Sequence, residues 1–292
     1  MKIICLMENT TCYNNIKAQH GLSFYIEWNE RKILFDTGAS DLFVENAKQR
    51  NVDLNAVDTL ILSHGHYDHS GGIQAFLEKN DHATLYIREK ALEPHFHIHD
   101  QKISYIGIPK NIIQELKHPL RAQQIHFTKE WEVIEDGCIL FSNVTGNQYY
   151  SKGNDGLAMQ KGITYVTDDF SHEQNLILKE NGKWILISGC SHSGVVNIIE
   201  KCKTLIGKEP DILIGGFHFA KPEKDGSIDT EFAAKIGTKL QTYHTKYYTC
   251  HCTRVEYYQY LKQQMGEQIE YIGAGDELEW RKDGGCKKIE SY

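Results

Sequence analysis

Proline and long apolar runs are what this chain has least of. Five prolines among 292 residues exclude a proline-rich linker. No stretch of about 18 consecutive apolar residues occurs, which excludes a membrane-spanning helix. The apolar start, Met1 to Leu6, turns polar at Glu8-Asn9-Thr10-Thr11 and is too short for a signal peptide, so it reads as a first strand. Positive charge is also in deficit: 32 Lys and Arg stand against 39 Asp and Glu, a net charge of −7. A protein that grips phosphate backbones is basic, so nucleic acid is a poor candidate for principal partner. A serine nucleophile elbow and a phosphate-cradling glycine loop are both missing. Eight cysteines are present, enough for four bridges. The chain is long enough to fold without staples and shows no export signal, so the expectation is reduced thiols in the cytoplasm.

What is there is an ordinary globular composition, 40% hydrophobic and 24% charged, long enough to bury a substantial core. Strand-like runs at 22–28 and 32–35 precede a helical pattern at 41–50. A short apolar run at 57–62 then reads as a strand buried on both faces. Later, 175–179 and 183–188 flank Glu180-Asn181-Gly182 as a hairpin. Helices are expected at about 195–206, 230–243 and 255–265, with strands at 211–214 and 246–249. Strands alternating with helices indicate an α/β layer arrangement. Residues 81–150 are the least regular and read as an insertion or lid on a single domain covering 1–292.

The histidines fall in a pattern. His64, His192, His218 and His251 each lie just past the end of an expected strand, the edge where α/β sheets bind ligands. The densest group is His64-Gly65-His66-Tyr67-Asp68-His69. On a helix, residues two apart face opposite sides, so His64 and His66 could not share an ion there. In an extended loop, 64, 66 and 68 point the same way, and glycines at 65, 71 and 72 let the chain bring His69 round. Four donors within six residues suit two neighbouring divalent ions, His64 and His66 on one, Asp68 and His69 on the other. Imidazole with carboxylate suits Zn2+, and Mn2+ or Fe2+ also match.

The run Ser63-His64-Gly65-His66-Tyr67-Asp68-His69-Ser70-Gly71-Gly72, preceded by Leu34-Phe35-Asp36-Thr37-Gly38, resembles the metallo-β-lactamase superfamily. Met7-Glu8-Asn9, His20-Gly21-Leu22-Ser23, Gly189-Cys190-Ser191-His192, Gly215-Gly216-Phe217-His218 and Cys250-His251-Cys252-Thr253 extend the likeness over nearly the whole chain. Together they resemble the branch named for 7,8-dihydropterin-6-methyl-4-(β-ribofuranosyl)aminobenzene 5′-phosphate synthase. Two positions depart from that branch: Arg254, where Gly is usual, and His172, where an acidic residue is usual. The resemblance implies a four-layer αββα sandwich, α+β in class, with a one- or two-metal site.

The remaining metal ligands are expected from His192 and His251. In an extended Cys250-His251-Cys252 the two thiols would share one side and His251 the other, with the cysteines supporting it. Cys190 stands near where superfamily relatives place a bridging aspartate and is an alternative thiolate ligand. His218 is assigned a catalytic role without metal contact, and Asp68 a catalytic role as well as a ligand role. Asp36 is expected to cap a turn or orient a ligand histidine. His172 ligates metal in some relatives' layout, but the branch pattern argues against it. His95, His97 and His99 read as a polar face of the insertion, and a second metal site is the alternative. His20 and Glu8 are weighed as substrate contacts or as structural residues. His82, His118, His126 and His244 are expected at the surface.

The expected activity is hydrolysis of a small-molecule ester, lactone, amide or phosphoester by hydroxide bound at a two-metal site. Two alternatives are a metal-dependent synthase that uses a pterin diphosphate and releases pyrophosphate, and a sensor that keeps its metals without catalysis.

Overall fold

The computed structural model describes residues 1–146, 148–280 and 286–289. The chain divides into two compact units: Met1–Glu130 with Gly156–Gln174 and Gly273–Tyr292, and Trp131–Asp155 with Asn175–Ile272.

The first unit is built on an eight-stranded sheet in the order Cys286–Ile289, Glu277–Trp280, Lys2–Met7, Ser23–Trp28, Arg31–Phe35, Thr59–Ile61, Thr84–Ile87, Ile125–Phe127. Its first half is antiparallel; from Arg31–Phe35 onward neighbours run parallel. Alternate residues Ile4, Leu6, Leu34, Leu60, Leu62, Leu85 and Ile87 form one apolar face. Against them pack Phe43 and Ala47 of helix Leu42–Gln49, Phe76 and Leu77 of helix Ile73–Leu77, and Ile112 and Leu116 of helix Lys110–Leu116. Each such Leu, Ile or Phe side chain contributes about 1.5–3 kcal/mol by leaving water. The run at 57–62 is a strand over Thr59–Ile61, flanked by parallel partners and fully buried, as its near-continuous hydrophobicity predicts.

The second unit is built on a seven-stranded sheet, Ile269–Tyr271, Lys246–Thr249, Ile212–Gly215, Lys183–Ile187, Gln174–Glu180, Cys138–Ser142, Trp131–Glu135. Lys183–Ile187, Ile212–Gly215, Lys246–Thr249 and Ile269–Tyr271 are parallel neighbours. Helices Val195–Ile206, Thr230–Gln241 and Val255–Met265 supply Val196, Ile199, Ile236, Leu240 and Leu261 to a core shared with Ile177, Leu186, Leu213 and Tyr247. The hairpin turn falls at Asn181-Gly182, both with positive φ.

Residues 81–150 are spread among three sheets. Thr84–Ile87 and Ile125–Phe127 complete the eight-stranded sheet, and Trp131–Glu135 and Cys138–Ser142 belong to the seven-stranded one. His95–His99 and Lys102–Tyr105 form a four-stranded sheet with Leu157–Lys161 and Thr164–Thr167. That small sheet braces the histidine-rich loop: Tyr67 N–H donates to Ile106 O at 2.9 Å, and His66 bridges Gly107. Among the described residues no helix is long and apolar enough to cross a membrane.

Candidate metal centre

In the first unit, Arg31–Phe35 and Thr59–Ile61 are parallel neighbours, so their carboxyl ends deliver Asp36 and Ser63 to the same place. Asp36 is wholly buried and has three donors around it. Ser63 N–H donates to Oδ1 at 2.7 Å, Ser63 Oγ–H to Oδ2 at 2.6 Å, and His69 Nδ1–H to Oδ2 at 2.6 Å. Because the Ser63 hydroxyl proton is committed to Asp36, Ser63 Oγ must accept from His64 Nδ1–H at 2.8 Å. One carboxylate therefore sets two tautomers. Both His64 and His69 carry their proton on Nδ1 and keep the Nε2 lone pair, the form a metal ligand requires.

The four donors of the loop are brought together. The His64 ring lies 4.7 Å from that of His66 and 4.1 Å from that of His69. His69 Nε2 is 3.7 Å from Asp68 Oδ2. Burial, then neighbouring imidazoles, push His64 well below the ordinary histidine value; burial and the nearby His172 do the same for His66. Both are thus neutral at physiological pH, ready to coordinate. The local geometry differs from the extended loop expected from the spacing. His66 is extended, but a short helix begins at Tyr67 and runs to Ser70, so Asp68 and His69 are presented from a helical turn. The backbone is recaptured there: Thr37 N–H and Oγ1 both donate to His69 O, which favours the turn over continued extension.

Half-exposed His20 places Nε2 3.2 Å from Asp68 Oδ2. The Glu8 carboxylate accepts from Thr10 N–H and Oγ1, both at 2.7 Å, and caps a turn. His95 is fully buried against Asp168, not on a polar face; only His97 and His99, stacked at 6.0 Å, lie outward. His82, His118 and His244 are exposed and His126 is half-buried. Burial alone would raise the Asp168 carboxyl, but hydrogen bonds from His172 and His95 hold it far below the usual carboxylate range. Sequence reasoning missed this Asp168 cluster.

In the second unit, His192, His218 and His251 follow three adjacent parallel strands. His192 Nδ1 donates to Asn154 Oδ1 at 3.0 Å, while Asn154 Nδ2 donates to His192 O at 2.9 Å. The amide is thereby fixed in orientation, and His192 too keeps its Nε2 lone pair. Nothing local in Lys152-Gly153-Asn154 signals that partnership. The His218 ring lies 3.9 Å from that of His192. Its backbone O accepts from Ser151 Oγ, and its N–H reaches Cys252 Sγ at 3.2 Å. Both of its ring nitrogens are shielded from solvent and take no hydrogen-bond partner among the described residues. His251 is not in an extended segment as expected: it opens a 3₁₀ turn, His251–Thr253, with φ of 52°. The simple alternation of thiols and imidazole therefore does not hold. Cys190, His218 and Cys252 instead lie with their donor atoms within 4.8 Å of one another. Burial would raise the Cys252 thiol, but hydrogen bonds with Cys190 and His218 outweigh it and hold the thiol well below its ordinary value. Gly216 makes room for it, since a Cβ there would sit 2.3 Å from Cys252 Sγ.

A site of this kind defines a class. Residues 17–206 match the model of the metallo-β-lactamase superfamily, and the chain belongs to that superfamily. Its fold is shared with a solved structure described as a metal-dependent hydrolase of the β-lactamase superfamily (TM-score 0.76, 24% identity, covering 96% of this chain and 98% of that one). Zn2+-bound PqqB from Methylobacterium extorquens is a more distant match (TM-score 0.56, 14% identity, 96% and 100%). Among curated proteins, the chain is 28% identical to a Methanocaldococcus jannaschii protein over 94% of its own length and 95% of the relative's. That protein is a 7,8-dihydropterin-6-methyl-4-(β-D-ribofuranosyl)-aminobenzene-5′-phosphate synthase. An uncharacterised protein of the same archaeon is 33% identical over 74% of this chain and 79% of its own length.

Proposed function

We propose that this chain is a metal-dependent hydrolase that uses two divalent ions, zinc by preference, to cleave an ester, lactone, amide or phosphoester of a small molecule. One observation carries the reading: buried Asp36, directly and through Ser63, fixes His69 and His64 as Nδ1–H tautomers beside the Asp68 carboxylate. Imidazole and carboxylate suit zinc, with manganese and iron as the next fits. His66 completes the loop's donor set, and His192 and His251 are assigned as further ligands on their sequence motifs. When bound, the ions would supply Lewis acidity and a water acidified to near neutrality. Asp68 would hold metal and orient the attacking water, with His20 at 3.2 Å steadying its other contacts. His218, whose ring nitrogens take no hydrogen bond among the described residues, would exchange the proton of the leaving group. The test is a panel of esters, lactones, amides and phosphodiesters with zinc or manganese. Turnover is expected in the native chain and loss of both metal and turnover in His66→Ala and Asp68→Ala; full turnover by a metal-free variant contradicts the reading.

A second reading rests on the likeness to the archaeal synthase along 94% of the chain. There the ions would bind the leaving diphosphate of a pterin substrate while an aromatic amine attacks. Pyrophosphate released on incubation with a pterin diphosphate and an aromatic amine, without hydrolysis of the panel, favours it.

A further inference from the structure

Gly65 lies between His64 and His66, and its N–H donates to His172 Nδ1 at 3.0 Å. A backbone amide can only donate, so Nδ1 must present its lone pair. The proton of the neutral ring is then on Nε2, which faces Asp168 Oδ2 at 3.2 Å. The same carboxylate oxygen takes His95 Nδ1 at 3.0 Å, and Oδ1 takes the Phe170 N–H at 2.8 Å. All three side chains are buried. On its other side Gly65 lies directly on the backbone of Ala91, where a Cβ would meet Ala91 O at 2.5 Å. The peptide between the two histidines is therefore held from both sides, by main chain at Ala91 and by the His172 imidazole.

His66, His95, Asp168 and His172 have donor atoms within 4.8 Å of one another, which taken alone has the form of a third cation site. The tautomer argues otherwise. Coordination through His172 Nε2 would move its proton to Nδ1, where it would face the Gly65 N–H hydrogen to hydrogen. Asp168 also already accepts three N–H groups. We infer that His172, held by Asp168, is a positioning residue that acts through the Gly65 amide to fix the directions of His64 and His66. This rests on the assignment of those two histidines as ligands under the proposed function.

Three substitutions separate the elements of this arrangement. In His172→Asn, the side-chain oxygen takes the place of Nδ1 and can accept from Gly65. In His172→Gln, the amide nitrogen takes the place of Nε2 and can reach Asp168, but the Gly65 acceptor is lost. His172→Ala removes both. The readouts are the zinc dissociation constant from competition with a chromophoric chelator, zinc equivalents at saturation, and the thermal midpoint of each variant without metal. Loss of such a supporting contact weakens metal binding about 10- to 100-fold. That loss is expected for Ala and Gln, with recovery to within about threefold of native in Asn and no change in equivalents bound. Zinc affinity that follows the metal-free thermal midpoint across the three variants, whether or not the acceptor is kept, overturns the inference in favour of a purely structural role. Loss of one zinc equivalent in both His172→Ala and Asp168→Ala overturns it in favour of a cation site. Native affinity in His172→Ala alongside lost binding in His66→Ala overturns the inference alone. Native affinity in both His64→Ala and His66→Ala overturns the ligand assignment beneath it.

Discussion

The two units present histidines in different ways. In the first, four donor residues occupy six consecutive positions, and a single buried carboxylate, Asp36, orders two of them through hydrogen bonds at 2.6–2.8 Å. In the second, the histidines come from separate loops, and local backbone strain has a larger part. Ser191, His218, His251 and Arg254 all have positive φ, at 60°, 44°, 52° and 63°. Such conformations persist in non-glycine residues only where surrounding contacts enforce them. The hydrogen-bond support of His192 comes from Asn154, a neutral amide. Preorganisation by a charged hub is the stronger device, because hydrogen bonds to a buried carboxylate are roughly twice as strong as neutral ones.

The sharpest way to break the comparison is Asp36→Asn. An amide presents a donor where three donors now converge. Zinc affinity is expected to fall about 100-fold, and metal-free stability by about 1–3 kcal/mol, read by chelator competition and urea unfolding. Next in size is the pH dependence of the metal-free protein. His64 and His66 are held below the ordinary value of 6.5 in the folded state, so below pH 6.5 the unfolded chain binds more protons. Stability is then full above that pH and is lost as pH falls beneath it, by up to about 1.4 kcal/mol per pH unit for each group. His66→Ala should make the slope shallower, and a slope unchanged in that variant would remove the electrostatic part of the account. Asn154→Ala in the second unit should cost about tenfold in zinc affinity. A larger loss there than in Asp36→Asn would invert the comparison. Cys252→Ser is expected to change zinc affinity by less than about threefold, since a hydroxyl can keep both contacts of the thiol, donating to Cys190 O and accepting the His218 N–H. Loss of a zinc equivalent in that variant would make the thiolate a ligand.

The difference between the units also explains what could be read in advance. The loop at 64–69 was legible because its donors are adjacent in sequence and follow a buried strand, and the helices Val195–Ile206 and Val255–Met265 fell where periodicity placed them. The short helix at Tyr67–Ser70 was not legible, because it depends on capture of His69 O by Thr37, 32 residues away. The roles of Asn154, Asp168 and His172 were hidden for the same reason. Their contacts span 38, 73 and 107 residues and leave no local pattern. The extended backbone expected at His251 is not found because a left-handed residue interrupts what reads as an extended run.

The most direct measurement is elemental analysis of the protein purified without added metal, beside Asp36→Asn and His66→Ala prepared the same way. The account predicts about two equivalents of a divalent transition metal in the native chain, a marked deficit in Asp36→Asn and almost none in His66→Ala. Equal metal content in all three would contradict it.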